Sequence, residues 1–348
     1  MLGRVKYTFV VVPLAALIAA IGASGRMLAG PAGYTVYSVR EDGTARHALA
    51  TVPTTLFGSD DVWLVTRSPA KDRFLAARSD GIFVANLDGS NVIRLSPGGE
   101  QIPSYAPPLF SPNGRLVAFS VTDPGCMQPN CNQLYVSRTD GTGLKLLAKT
   151  AADPSWSADG KWIAYAGDLD FDGGRGSIYL VHPDGSGLRR IATDGTGVYG
   201  HPSFAPSGTR LAYGCTAGLC LTLGTRHHVI SRSQGALWSP DGRRIAQSQA
   251  SNGVNHSVLS VVDIATATTR PLTSSDINGT SDMPLAWSPD GSTLAFLRAC
   301  EYPPPICRIA VYALNLANGS KHRLSRDAHS WMDVRWSNHT LTYVAATG

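Results

Sequence analysis

One short pattern recurs down the whole chain: an aromatic residue, a small residue, a tight turn and a brief apolar run. It reads "LFSPNGRLVAFS" from 109, "SWSADGKWIAYAG" from 155, "SFAPSGTRLAYGC" from 203, "LWSPDGRRIAQS" from 237, "AWSPDGSTLAFL" from 286 and "RWSNHTLTYVA" from 335. A degraded copy, "VTRSPAKDRFLAARS", starts at 65. The residues that open the turns are Ser68, Ser111, Ser157, Ala205, Ser239, Ser288 and Ser337, at intervals of 43–49 residues except for one of 34. Proline suits a turn position that needs φ near −65°, and Asp-Gly tolerates the reversal, so S-P-D-G joins two antiparallel strands closely. The "LAF", "IAY" or "LAY" that follows alternates and favours a strand. Most copies carry a second hairpin, as in "IFVANLDGSNVIRL", "LYVSRTDGTGLKLL" and "IYLVHPDGSGLRRI". Each unit is therefore four antiparallel strands, A to D. Four-stranded units at this period specify a ring of blades, a β-propeller.

The ends of the chain fit the same plan. Residues 334–348, "VRWSNHTLTYVAATG", supply strands A and B of a unit and then stop. Residues 34–49, "YTVYSVREDGTARHAL", read as a strand, an Asp-Gly turn and a strand, which is the missing half. Together they make one composite blade, and the count becomes seven. The expected fold is all-β: seven four-stranded antiparallel blades, with N- and C-terminal strands sharing one. The approximate limits are 60–97, 104–149, 152–193, 200–232, 234–274, 283–326, and 330–348 with 34–50. Six blades with a frayed end is the alternative. Composition agrees, since 43% apolar residues with 36 Gly and 22 Pro suit a large core that turns often.

The pattern W-S-P-D-G-x-x-[LI]-A-[FY], followed by [IL]-Y-[VL]-x-x-x-D-G-[ST]-G-L-[RK]-x-[LI], resembles the repeats of TolB-like β-propellers. These are similar in style to WD-repeats but lack the Trp-Asp and Gly-His signatures. The resemblance covers residues 60–348 and implies the fold far more than a function, because such rings host binding, scaffolding and enzymatic roles. TolB resembles a six-bladed ring with an added N-terminal domain, for which residues 31–59 are too few.

Residues 1–30 read as an export signal or a signal anchor: a basic "MLGRVK", the apolar run "YTFVVVPLAALIAAIGA" and small residues after it. The propeller is then residues 31–348, in an extracytoplasmic compartment. Arg4, Lys6 and Arg26 carry three of the five net positive charges. The remaining Lys and Arg are scattered, which argues against nucleic acid as a partner. A membrane is expected only through an uncleaved anchor, and the molecule is expected to be a monomer. Six cysteines form three close pairs, Cys126/Cys131, Cys215/Cys220 and Cys300/Cys307, whose spacing in an exported chain points to three local disulfides rather than zinc.

Each pair falls between strands B and C of its unit. In a propeller the A–B and C–D turns share one face, while the B–C and D–A connections share the other. Uniform turns on one face read as scaffold, and variable loops on the other as a recognition surface. The channel mouth on the variable face is expected to be lined by residues just ahead of strand A: Tyr105, Asp153, Tyr199, His201, Gln234, Asp282, Trp331 and Asp333. Asp168, Asp170 and Asp172 with Gly173 form D-x-D-x-D-G, the opening of a calcium loop, although Tyr179 stands where the twelfth-position acid belongs. No other cofactor is required.

The sequence has no G-x-S-x-G elbow, H-E-x-x-H helix or phosphate-binding loop. Peptidases that resemble these rings carry a separate hydrolase domain, for which this chain has no room. Oligogalacturonate lyases also resemble seven-bladed rings, with histidines on a metal. By that resemblance His201 is one ligand, whereas His227 and His228 belong to an outer strand D. The favoured expectation is a non-enzymatic exported module that binds an envelope protein, a peptide or a glycan. A metal-dependent polysaccharide lyase, or another hydrolytic enzyme using the central funnel, is the alternative.

Overall fold

The computed structural model describes residues 33–53, 64–78, 80–98, 107–123, 131–168, 176–193, 198–223, 226–233, 235–250, 256–274, 280–300, 310–325, 331–337 and 339–347. These residues form seven four-stranded antiparallel sheets and contain no helix. In six of them the strands follow in chain order, so each blade is one meander. We number these blades 1–6 from residues 64–94 to residues 280–323. The seventh has the order His47–Pro53, Gly33–Arg40, Thr340–Thr347, Trp331–Ser337, with the N-terminal segment as strands C and D and the C-terminal segment as strands A and B. Gly33 through Arg40 pair without interruption with Thr347 through Thr340. The six-bladed alternative is thereby set aside.

Closure also shows in the core. The buried apolar residues fall into seven clusters, and every cluster spans two neighbouring blades. One joins Val36 and Val344 of blade 7 to Phe74 and Phe83 of blade 1. An open arc of seven blades has six such interfaces; a ring has seven. The alternating pattern explains the arrangement, because side chains two apart on a strand face the same neighbour. Thus Ile245 packs towards blade 4, while Ala246 packs towards blade 6.

The repeated tryptophan latches one blade to the one before it. The indole nitrogens of Trp156, Trp238, Trp287 and Trp336 donate to the carbonyls of Leu109, Ser203, Leu237 and Ala286, at 3.0–3.2 Å. Each acceptor lies on strand A of the preceding blade. Blade 1 has Arg67 where these blades have tryptophan. Arg67 makes its own latch to blade 7 through Asp333, with Nε to Oδ2 at 2.8 Å.

Candidate functional site

The two faces differ in how their polar groups are used. On the turn face, the hydroxyl of Ser157, Ser239 or Ser288 donates to the Asp two residues on, and Ser111 does the same to Asn113, at 2.5–2.8 Å. The following glycines, among them Gly242 at φ 65° and Gly291 at φ 70°, take the left-handed conformation. Aspartate here supplies hydrogen bonds rather than an unusual φ, which refines the expectation for Asp-Gly. In the C–D turns Asp42, Asp88, Asp140 and Asp184 each accept the hydroxyl and the backbone N–H of the Ser or Thr two residues on. Those side-chain bonds, and next the backbone bonds, hold all four carboxyls below their ordinary pKa. The Ser288 hydroxyl, followed by bonds from Ser292, brings Asp290 down to about 2. These carboxylates are engaged in their own turns.

On the opposite face the B–C connections vary widely. They run over 123–131, 168–176, 251–256 and 301–309 in four blades, and over only 79–80 and 216–217 in blades 1 and 4. Blade 4 carries a disulfide between Cys215 and Cys220, with Cα atoms 5.8 Å apart. The cysteines lie within strands B and C (Leu211–Cys215 and Gly218–Leu223), not in the connection between them as expected. Their bridge spans a two-residue reversal at 216–217. Cys131 is also disulfide-bonded. Cys126, Cys307 and the side chain of Cys300 lie outside the described residues.

Six of the expected mouth residues, Asp153, Tyr199, His201, Asp282, Trp331 and Asp333, fall inside strand A rather than ahead of it, and three of them sit where the strand is irregular. Asp153 lies in Ala151–Trp156, His201 in Val198–Phe204 and Asp333 in Trp331–Ser337. All three have positive φ, 54°, 52° and 49°, at points where the pairing with strand B slips. These are β-bulges that re-aim a side chain, and non-glycine residues held this way carry local strain.

The bulges bring neighbouring blades together. The Oδ2 of Asp153 lies 3.2 Å from Nδ1 of His201 and accepts the His201 backbone N–H at 3.3 Å. Gly200 beside it has φ 92°, and a Cβ there would lie 2.8 Å from the same oxygen. The His201 side chain is 46% exposed and that of Asp153 12%. Among the described residues expected at the mouth, this pair is an accessible polar group. Asp333 is used differently. It accepts Arg67 Nε, the Arg67 backbone N–H, Thr66 Oγ1 and, at 2.6 Å, Arg335 Nε. Asp282, on strand A of blade 6 (Thr280–Trp287), is 1% exposed and receives both Nε and Nη2 of Arg298 at 2.7 Å. Two of the three acidic mouth residues on described strands are thus neutralised by arginine.

Tyr105 and Gln234 lie outside the described residues, as do the side chains of Tyr199 and Trp331. Of the calcium motif, Asp170 and Asp172 lie outside as well. Asp168 directly follows strand B of blade 3 (Ile163–Gly167), has φ 55° and accepts the hydroxyl of Tyr179. Tyr179 stacks on Tyr165, whose hydroxyl is pushed up to about 12 by burial first and then by the charges of Tyr179 and Asp168. His227 lies on the outer strand of blade 4, as expected, 2.8 Å from the Tyr213 hydroxyl. Among the described residues no three His, Cys, Asp or Glu side chains are grouped to hold a metal.

Sequence reasoning did not pick out Arg67, Arg298 or Arg335. A signal existed for Arg67, which stands in the tryptophan column of the repeat.

No protein-family model matches the chain. Over 163 residues it is 32% identical to the Protein TolB homolog of Chlorobium luteolum, a stretch that is 45% of this chain and 32% of that protein. Over 108 residues it is 33% identical to the Dipeptidyl-peptidase 5 of Porphyromonas endodontalis, covering 30% of this chain and 15% of the peptidase. The chain thus spans a third or less of the curated relatives it matches. Among solved structures, the protein assigned as TolB from Agrobacterium tumefaciens aligns with TM-score 0.51 at 16% identity, over 91% of this chain and 99% of that one. An oligogalacturonate lyase from Vibrio parahaemolyticus aligns with TM-score 0.59, also at 16% identity, over 87% and 88% of the two chains. At such identity these likenesses establish a shared fold.

Proposed function

We propose that this TolB-like β-propeller repeat protein is an extracytoplasmic, non-enzymatic binding module, and that a protein, peptide or glycan of the cell envelope docks on its variable face. The observation that carries this reading is the asymmetry of the two faces. On the turn face the aspartates are spent inside near-identical turns, so little is left to recognise a partner. On the other face the connections range from two residues at 216–217 to the long stretches 123–131, 168–176 and 301–309. Variable loops on a rigid repeated frame are the usual seat of recognition. The Asp153–His201 pair adds an accessible polar point at the mouth. The Cys215–Cys220 disulfide favours an oxidising compartment, in keeping with the apolar N-terminal segment.

A photo-crosslinking residue placed at position 201, and in a separate variant at position 140 on the turn face, tests the reading in the native compartment. Discrete adducts are expected from position 201 and not from position 140. Adducts from position 140 alone overturn the assignment of the face. Turnover of a pectic oligosaccharide or a peptide by the purified protein, lost on His201→Ala, overturns the non-enzymatic reading in favour of a lyase or hydrolase. Calcium at Asp168, Asp170 and Asp172 remains part of the proposal. It predicts a higher melting temperature with calcium than with chelator, and an unchanged one counts against it.

A further inference from the structure

Four blades share an aromatic pair across strands B and C. Phe119 opposes Tyr135, Tyr165 opposes Tyr179, Phe296 opposes Tyr312 and Tyr343 opposes Tyr37. Their ring centroids are 5.3–6.0 Å apart. In blade 5 the same two positions hold Gln247 and Ser260, again directly opposed. The substitution is visible in sequence, where "RRIAQS" replaces "LVAFS", "WIAYA" and "TLAFL". Both side chains face blade 4, because Ile245 and Val262, two residues away on the same strands, belong to the core between blades 4 and 5.

Polarity at this depth needs partners. Gln247 is 1% exposed and Ser260 is fully buried. Ser231, at the end of strand D of blade 4 (Arg226–Ser231), donates its hydroxyl to Gln247 Oε1 at 2.6 Å. Among the described residues, Gln247 Nε2 and Ser260 Oγ have no hydrogen-bond partner. Turning the amide over does not help, since one of its two atoms meets Ser231 and the other is left. Two polar groups of this kind, side by side in an apolar layer, need a small neutral molecule that both accepts and donates hydrogen bonds. An ion would need a compensating charge, and none of the groups named here carries one.

We infer that the interface between blades 4 and 5 encloses a water-binding site built from Gln247 Nε2 and Ser260 Oγ. The water accepts from the amide N–H and exchanges a hydrogen bond with the serine hydroxyl. Room for it comes from the missing rings, because a glutamine and a serine replace two aromatic side chains, and a water needs about 30 Å³. The site marks blade 5 as the place where the repeated aromatic layer is interrupted by a polar one.

Crystals of the full chain that diffract well enough to show ordered water test the inference directly. The expected result is one isolated peak at hydrogen-bond distance, about 2.7–3.2 Å, from both atoms. An empty site, or both atoms bonded to protein groups, overturns it. The variant Gln247→Phe/Ser260→Tyr rebuilds the kind of aromatic pair found in four other blades. It is expected to lose the peak and to melt no lower than the parent, whereas Ser260→Ala alone should melt lower. A double variant that folds and still shows the peak overturns the inference. If the double variant does not fold, the parent crystal alone decides.

Discussion

Arg67 and Asp333 show what a single exchange within a repeat can cost and repair. Where four blades use a neutral indole latch, the seam between blades 7 and 1 uses a buried ion pair whose side chains are 3% and 5% exposed. Arg67 also reaches Thr342 Oγ1 at 3.0 Å, so most of its donors are engaged. Removing one member of a buried pair strands the other, which typically costs about 3–5 kcal/mol. Because Arg335 still pairs with Asp333 at 2.6 Å, Arg67→Ala should lower the unfolding free energy by the lower end of that range, about 3 kcal/mol, in denaturant titrations. Trp287→Phe, by contrast, loses only an indole bond to Leu237 while keeping most of its packing, and should cost about 1 kcal/mol. A smaller loss for Arg67→Ala than for Trp287→Phe would sink the view that the seam is ionic. Such pairs explain why part of the site was unreadable in sequence. The residues expected just ahead of strand A to give an acidic mouth lie within strand A of their blades. Nothing local to Asp333 announces that Arg67, on the first blade, will cover it, and nothing local to Asp282 singles out Arg298 across its own hairpin.

The element that repeats most faithfully is the A–B turn, and its chemistry sets a pH dependence. Asp290 has its pKa lowered to about 2, chiefly by the Ser288 hydroxyl. A group whose pKa is depressed on folding contributes stability above its unfolded pKa of 3.8 and loses it as pH falls towards the folded value. Stability measured by denaturant should therefore decline between about pH 4 and pH 2, and Asp290→Asn should flatten that decline. The C–D turns shift in the same direction and should add to the slope. Turns, strand order and even the outer placement of His227 were legible because each depends on a few adjacent residues. The bulges at Asp153, His201 and Asp333 were not. A bulge is a slip of register against strand B, and a sequence read one strand at a time holds no register. The Cys215–Cys220 bridge was legible as a pair, though its seat on the strands follows from a two-residue turn, as short as that of blade 1 and shorter than the other B–C connections. On the chain-entropy argument it contributes about 2 kcal/mol, so a Cys215→Ala/Cys220→Ala variant should melt lower yet keep its fold.

At the scale of the molecule, the seven core clusters make every blade a support for two others, with no terminal blade to fray. Deleting residues 334–348 removes most of strand A and all of strand B from blade 7, along with Arg335 and Thr342 of the seam. The expected outcome is loss of cooperative unfolding across the whole ring, measured as a broadened or absent thermal transition. A sharp transition at a slightly lower temperature would show instead that the blades stand independently. The composite blade also imposes an order in time. Among the described strands of the ring, Gly33–Arg40 is synthesised before all others, yet its partner Thr340–Thr347 is made after all others. Throughout synthesis the early strand must wait with an unpaired edge, exposed to wrong partners, until Thr340–Thr347 arrives. The ring is therefore a structure the cell cannot finish in instalments, and anything that delays its last strand prolongs the period in which the first one can be captured.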